Sequence, residues 1–269
     1  MNVREYIDDK LDKDGVVILP EMDVKDSMKF MFSLGYRPTT TILDPWYNRG
    51  IGGVRNDYIP YILDVIDCIK DNTDHLFLWG FPEIVANFVS KIEKPLEFVT
   101  WLTWFFKNCP SVIRGWRSSQ QACLHYATKK AKMYPENFFN AQQELRFENN
   151  KMRFIPGPSS VIEEPLLVGF VGKKEQTGHP SQKPEKVFEK LIMMTSKIDD
   201  LIYDPLAGSG TTGAVCITHG RKCILSDLSD EYLTLAEKRL GIKRLSRKII
   251  TEQFKDNFKE NNQKMRHSA

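Results

Sequence analysis

Residues 201–215, "LIYDPLAGSGTTGAV", restrict the fold more than any other part of the chain. A short apolar run ends in Asp204-Pro205. Three glycines follow, Gly208, Gly210 and Gly213, and an apolar helical pattern then continues to Gly220. Glycines at G-x-G-x-x-G spacing let the backbone turn tightly and approach a ligand, and the helix N-terminus behind them offers unpaired N–H groups. The next apolar run, "KCILSD", ends in Asp227, 19 residues after Gly208. A carboxylate at such a strand tip can accept hydrogen bonds from two ribose hydroxyls. Strand, loop, helix, strand and acid in this order predict a nucleoside-binding crevice. A dinucleotide-binding dehydrogenase shares these features but needs further strands for the second nucleotide half. Only 42 residues follow Asp227, so those strands would have to come earlier in the chain.

Earlier segments do alternate between strand-like and helix-like patterns. "TTTIL" (39–43), "HLFLWG" (75–80), "EFVTWLTWFF" (97–106) and "QACLHYATK" (121–129) read as strands. "NDYIPYILDVIDCIK" (56–70) and "PEIVANFVSKI" (82–92) read as helices, the second with Pro82 in its first turn. The alternation predicts an α/β fold, a parallel sheet with helices on both faces. From Lys130 to Gly178 the pattern degrades into a polar, aromatic-studded, proline-broken stretch expected to be an insertion outside the sheet. Regularity returns with a helix opening at Pro184, the strand at 200–204, the helix after the glycines, the strand at 222–227 and a helix N-capped by Ser229. The last 25 or so residues read as a polar, frayed tail.

Composition narrows the class. No stretch approaches the ~18 consecutive apolar residues of a membrane span, and the N-terminus is charged rather than signal-like. A cytoplasmic location is expected, with no membrane partner. Five scattered cysteines without a C-x-x-C pair argue against a disulfide framework and a zinc site, so no metal is expected. Net charge is only +3, but it is unevenly spread. Residues 111–135 contain no acid yet hold Arg114, Arg117, Lys129, Lys130 and Lys132, and from Lys243 onward eight Lys/Arg face three Asp/Glu. A phosphate backbone attracts such local clusters.

The strand at 39–43 delivers "DPWY", Asp44-Pro45-Trp46-Tyr47, to its carboxyl end. If it shares a parallel sheet with 201–204, both tips meet in one crevice, because ligands in such sheets sit at the carboxyl ends of strands. Asp44 to Tyr47 resembles the D-P-P-Y catalytic motif of the amino-group DNA methyltransferases. Asp204-Pro205-Leu206-Ala207-Gly208-Ser209-Gly210-Thr211 resembles their S-adenosylmethionine (AdoMet) loop, and "HPSQKP" (179–184) is similar to the element preceding it. "TWFFKN" followed by "RGWRSSQQACLHYATK" resembles the segment leading to target recognition. Catalytic motif first and cofactor loop last is the permuted order of the β class, and the resemblance covers residues 35–240.

The resemblance implies a Rossmann-like mixed sheet of a class I AdoMet-dependent methyltransferase with a small inserted target-recognition region. Its parts would be a catalytic half (1–129), target recognition (130–178), an AdoMet-binding half (179–242) and a basic tail (243–269). It implies methyl transfer from AdoMet to the N6 amine of a flipped adenine in double-stranded DNA. In that scheme Asp44 and the Pro45 carbonyl accept the amino hydrogens and Tyr47 stacks on the base. Gly208 and Gly210 pass near the methionyl part, with Pro205, Ala207, Ser209 and Thr211 completing the cofactor loop. Asp227 holds the ribose, Ser181 and Lys183 are candidates for the methionine carboxylate, and Asp204 for the amino group or for capping the loop. Trp46 departs from the usual proline and adds a large ring beside the base pocket. Arg49, Arg55, Arg114, Arg117, Lys129, Lys130 and Lys132 are candidate DNA contacts. Cytosine N4, an RNA base, and an inactive nucleic-acid-binding subunit remain alternatives. A homodimer, or a restriction or specificity partner, could share recognition.

Overall fold

A computed structural model describes residues 2–48, 53–109, 112–113 and 115–251. In chain order the elements are α1 (Val3–Asp14), β1 (Val16–Ile18), α2 (Val24–Ser33), β2 (Thr40–Leu43), α3 (Tyr58–Ile69), β3 (His75–Gly80), α4 (Pro82–Val85), β4 (Glu97–Phe105), β5 (Val112–Ile113), β6 (Trp116–Arg117) and β7 (Gln120–Ala127). They continue with α5 (Ala141–Glu148), β8 (Val161–Glu163), α6 (Glu185–Thr195), β9 (Leu201–Asp204), α7 (Thr211–His219), β10 (Lys222–Leu225) and α8 (Asp230–Leu240). One sheet runs β1-β10-β9-β2-β3-β7-β4-β8, and β5 and β6 form a separate hairpin. β7 is antiparallel to both neighbours, while every other pairing in the sheet is parallel. The sheet is therefore mixed.

Both faces of the strands are covered, and alternate residues go to opposite cores, as the two-residue period of a strand requires. Leu43, Leu76, Leu78, Tyr203 and Ile224 pack with α1, α2 and α3 on one face. Ile42, Phe77, Trp79, Ile202 and Leu225 pack with α6, α7 and α8 on the other. This two-sided burial explains why the strands read as continuous apolar runs rather than alternating ones.

Several elements differ from expectation. The helix expected over 82–92 stops at Val85. The Asn87 amide donates to the carbonyls of Glu83 and Ile84, and the buried Tyr126 hydroxyl reaches the carbonyls of Phe88 and Val89. Side chains thus satisfy carbonyls that a continued helix would have used. The insertion is not wholly outside the sheet, because β8 lies inside 130–178, pairs with β4 and buries Ile162. A three-residue strand leaves too short a periodic trace to read. The tail also begins in order: Leu245 and Ile250 are buried, and Arg244 pairs with Asp230 and Glu237. α1 is closed by a capping box between Asn2 and Glu5 and by Gly15 in the left-handed region, and it leads into β1 at the sheet edge.

Gly210 caps α7 with φ +76°, and a β-carbon there would meet the Ala236 β-carbon of α8 at 3.0 Å. The loop can turn into α7 beside α8 only without a side chain. Gly210→Ala is expected to lower unfolding free energy by about 1–3 kcal/mol, read from urea melts, and an unchanged midpoint would contradict this packing.

Candidate active site

β2 and β9 lie side by side and parallel, with Thr41 opposite Tyr203, so Asp44 and Asp204 emerge at the same edge of the sheet. Residues 160 positions apart in sequence, Asp44 and Asp204, thereby reach one crevice. Lys183, just before α6, ties the two halves together. Its carbonyl accepts from the Thr211 hydroxyl at 3.3 Å, and its ammonium pairs with Asp44 Oδ2. The same ammonium donates to the Tyr47 hydroxyl at 2.6 Å and lies over the rings of Tyr47 and Trp79. The Lys183 side chain is only 2% exposed. A buried ion pair repays its desolvation only when further hydrogen bonds complete it, and here Tyr47 supplies them. The Tyr47 hydroxyl is 2.8 Å from Asp44 Oδ1 and 2.9 Å from Gln121 Oε1. Burial first, then the Asp44 charge, pushes the Tyr47 phenol well above its ordinary range, so it keeps its proton.

The glycine loop forms the facing wall. Gly208 has φ +50° and donates its N–H to Asp227 Oδ2 at 2.9 Å, while Asp227 Oδ1 accepts from the Ser229 N–H. A β-carbon on Gly208 would lie 3.1 Å from His179 Nε2, and the His179 ring meets Tyr232 edge-on at 4.3 Å. The loop is thus a cradle that a side chain would fill. Asp227 retains lone pairs for further donors, since an ionised carboxylate accepts about four. These features fit a nucleoside with a free ribose diol. Among the described residues no group of three His, Cys, Asp or Glu stands where it could hold a metal ion.

The expected site residues do not all converge. Asp44, Pro45, Tyr47, Lys183, Asp204 and the loop from Pro205 to Thr211 gather at the crevice; Ser181 sits nearby, exposed, its N–H on His179 Nδ1. Lys183 is engaged by Asp44 and Tyr47 rather than standing apart from them. Trp46 turns its ring onto Tyr58 and Tyr61, donates to the Gly53 carbonyl and packs on the core. It is absent from the wall of the cavity of about 290 Å³ beside Tyr47, which Asn48, Arg55, Tyr58, Glu83 and Asn87 line instead. Arg55 grips Asp57 and stacks on Tyr61 at 4.1 Å. Arg117 lies exposed in the β5–β6 hairpin beside exposed Trp116.

Lys129, Lys130 and Lys132 require a correction. β7 runs against its neighbours, so Ala127 lies opposite His75, the first residue of β3, while Ala122 lies opposite Gly80, its last. The lysines after β7 therefore stand at the far edge of the sheet from Asp44, and Lys129 pairs there with Glu97. Arg49 and Arg114 lie outside the described residues.

Four contributors carry little sequence signal. Gln121 is one of two glutamines opening an otherwise largely apolar strand. Arg239 of α8 holds the loop by donating to Thr211 Oγ1 at 2.9 Å while pairing with Glu185. His179 sits inside "HPSQKP", and its contact with Gly208 depends on tertiary packing. The Thr212 hydroxyl donates to Asp204 Oδ2.

Burial is the main reason that the Asp204 carboxyl is pushed up to about 7, with Asp44 and Asp227 adding to it and Thr212 opposing. A raised folded value means that its stabilising contribution is complete below the unfolded value of 3.8 and is lost as pH rises through 7. Asp204→Asn does not titrate. Its stability relative to the parent should therefore rise between pH 5 and pH 8, by at most roughly 1.4 kcal/mol per pH unit crossed. Thermal melts across that range check this, and a pH-independent difference contradicts it.

The N6/N4 family described as DNA methylase matches residues 25–238. The type II methyltransferase M.HpaI of Haemophilus parainfluenzae is 32% identical over 215 residues, covering 74% of this chain and 67% of its own. The DNA adenine methyltransferase YhdJ of Escherichia coli (strain K12) is 43% identical over 68 residues, 25% of this chain and 23% of its own. Among solved structures, the M1.HpyAVI–SAM complex superposes with TM-score 0.65 at 21% identity, over 84% of this chain and 100% of that one. PvuII cytosine-N4-specific DNA methyltransferase superposes with TM-score 0.61 at 14% identity, over 90% and 93%. These structural likenesses carry the fold. The family match spans both halves of the crevice, DPWY and glycine loop alike, and the chain belongs to the AdoMet-dependent DNA methylases that act on exocyclic amino groups.

Proposed function

We propose that this chain is a site-specific adenine-N6 DNA methyltransferase. The observation that carries the proposal is the convergence of Asp44 and its partners with the glycine loop in one crevice. An exocyclic amine is a weak nucleophile because its lone pair is delocalised into the ring. The task for the protein is to take up the amine's hydrogens and hold it in line. Asp44 Oδ1 and the Pro45 carbonyl are the acceptors for those two hydrogens. Lys183 fixes the carboxylate through Oδ2 before the base arrives, which limits reorganisation during the reaction. Tyr47, held by Phe81 edge-on at 4.8 Å, offers a ring face to a base turned out of the helix.

AdoMet, when bound, supplies an electrophilic methyl group. On this chain Gly208 and Gly210 would pass close to its methionyl part, Asp227 would take the ribose hydroxyls, and Asp204, accepting from Thr212 and the Leu206 N–H, would keep the loop in register. An aspartate at the head of the DPWY motif supports adenine, and YhdJ is named an adenine enzyme.

Arg55 beside the cavity and Arg117 with Trp116 on the hairpin form the proposed DNA-facing contacts. Residues 130–178 are the proposed target-recognition region, which a second copy or a specificity partner would supplement.

Asp44→Ala should retain AdoMet binding and lower methyl transfer at least ~10²–10³-fold. Calorimetry and labelled-methyl transfer to duplex DNA check the two parts. Nucleoside analysis of the digested product should show N6-methyladenine. N4-methylcytosine would move the same chemistry to cytosine. Tight AdoMet binding with no transfer to any DNA or RNA would favour an inactive binding subunit.

A further inference from the structure

We infer that Gln121 is a positioning residue that accepts the Tyr47 hydroxyl proton in exchange for Asp44, freeing the carboxylate for the target amine. The inference rests on the amino-methyltransferase reading above. Tyr47 has one hydroxyl proton and two acceptors within reach, Asp44 Oδ1 at 2.8 Å and Gln121 Oε1 at 2.9 Å. Lys183 already donates to that phenolic oxygen at 2.6 Å and to Asp44 Oδ2. A carboxylate serving two internal donors is a poorer acceptor for a third, because each donor stabilises its charge. Turning the hydroxyl toward Gln121 removes one of them. The phenol stays protonated throughout, since burial and the neighbouring carboxylate both oppose its ionisation. The exchange is therefore a rotation about one C–O bond with no net transfer of charge.

The fold supplies the partner for this exchange. β7 runs antiparallel beside β3, which sets Ala122 opposite Gly80 and Gln121 opposite Trp104 of β4. Gln121 is thereby carried to the carboxyl edge of the parallel strands, where Asp44 emerges. Phe81 packs against the Tyr47 ring and holds it while the hydroxyl turns. A parallel strand in that place would have brought its last residue to this edge, and Gln121, near its start, would lie at the other end.

Gln121→Met keeps the side-chain length and removes the acceptor. Its kcat for methyl transfer to duplex DNA should fall about tenfold, the effect of one hydrogen bond to a charged group, with KM for DNA and AdoMet affinity unchanged. Gln121→Glu, which keeps an Oε acceptor, should remain faster than Gln121→Met. A role in packing alone predicts that Gln121→Met, the apolar replacement of similar length, is at least as fast as Gln121→Glu. The inference is overturned by wild-type kcat in Gln121→Met or by Gln121→Glu no faster than Gln121→Met. Absence of transfer by the unaltered chain would instead count against the parent reading.

Discussion

The parallel pairing of β2 with β9 is the constraint on which the site depends. Without it the two motifs would be isolated strand ends, each a turn like many others. With Thr41 opposite Tyr203, the DPWY segment and the glycine loop emerge at one edge and face each other. Two buried cores clamp the pairing, since Ile42 and Ile202 point to one face and Leu43 and Tyr203 to the other. A slip of one residue would exchange these faces, so the packing that stabilises the sheet also fixes the register of the chemistry.

Lys183 carries the constraint into the site. It is an almost fully buried cation bridging the element before α6, the start of α7 and the tip of β2. Its partners are coupled: Asp44 offsets its charge, Tyr47 completes its hydrogen bonds and Trp79 contributes a ring face. Removing one member leaves a buried charge uncompensated, which is costly. The arrangement pre-orients the carboxylate, and it explains why a lysine in a polar-looking hexapeptide is buried.

Much of this was legible in the sequence because the relevant signals are local. The strand–glycine–helix–strand–acid order, the Ser229 cap and the runs at 75–80 and 97–106 follow from backbone rules that act over a few residues. What escaped depends on direction or distant contact. An apolar strand does not announce its polarity, so the reversal of β7 was hidden. That reversal places Lys129, Lys130 and Lys132 at the far edge and brings Gln121 to the near one. β8 was too short to read, and the packing of Trp46 on Tyr58 and Tyr61 is tertiary, so the motif alone does not show it. Arg239 reads as an ordinary helix-end cation until α6 and the loop are brought against it.

A crystal structure with AdoMet bound tests the central geometry most directly, through the separation of its methyl carbon from the Asp44 carboxylate. An amine hydrogen-bonded to Asp44 at ~2.9 Å and poised ~3–3.5 Å from the methyl requires that separation to be within roughly 6 Å. A methyl carbon in that shell, with the ribose on Asp227, is the expected result. A donor seated in the glycine loop with its methyl directed away from Asp44, or more than ~10 Å from it, would contradict the account, because no amine could then touch both.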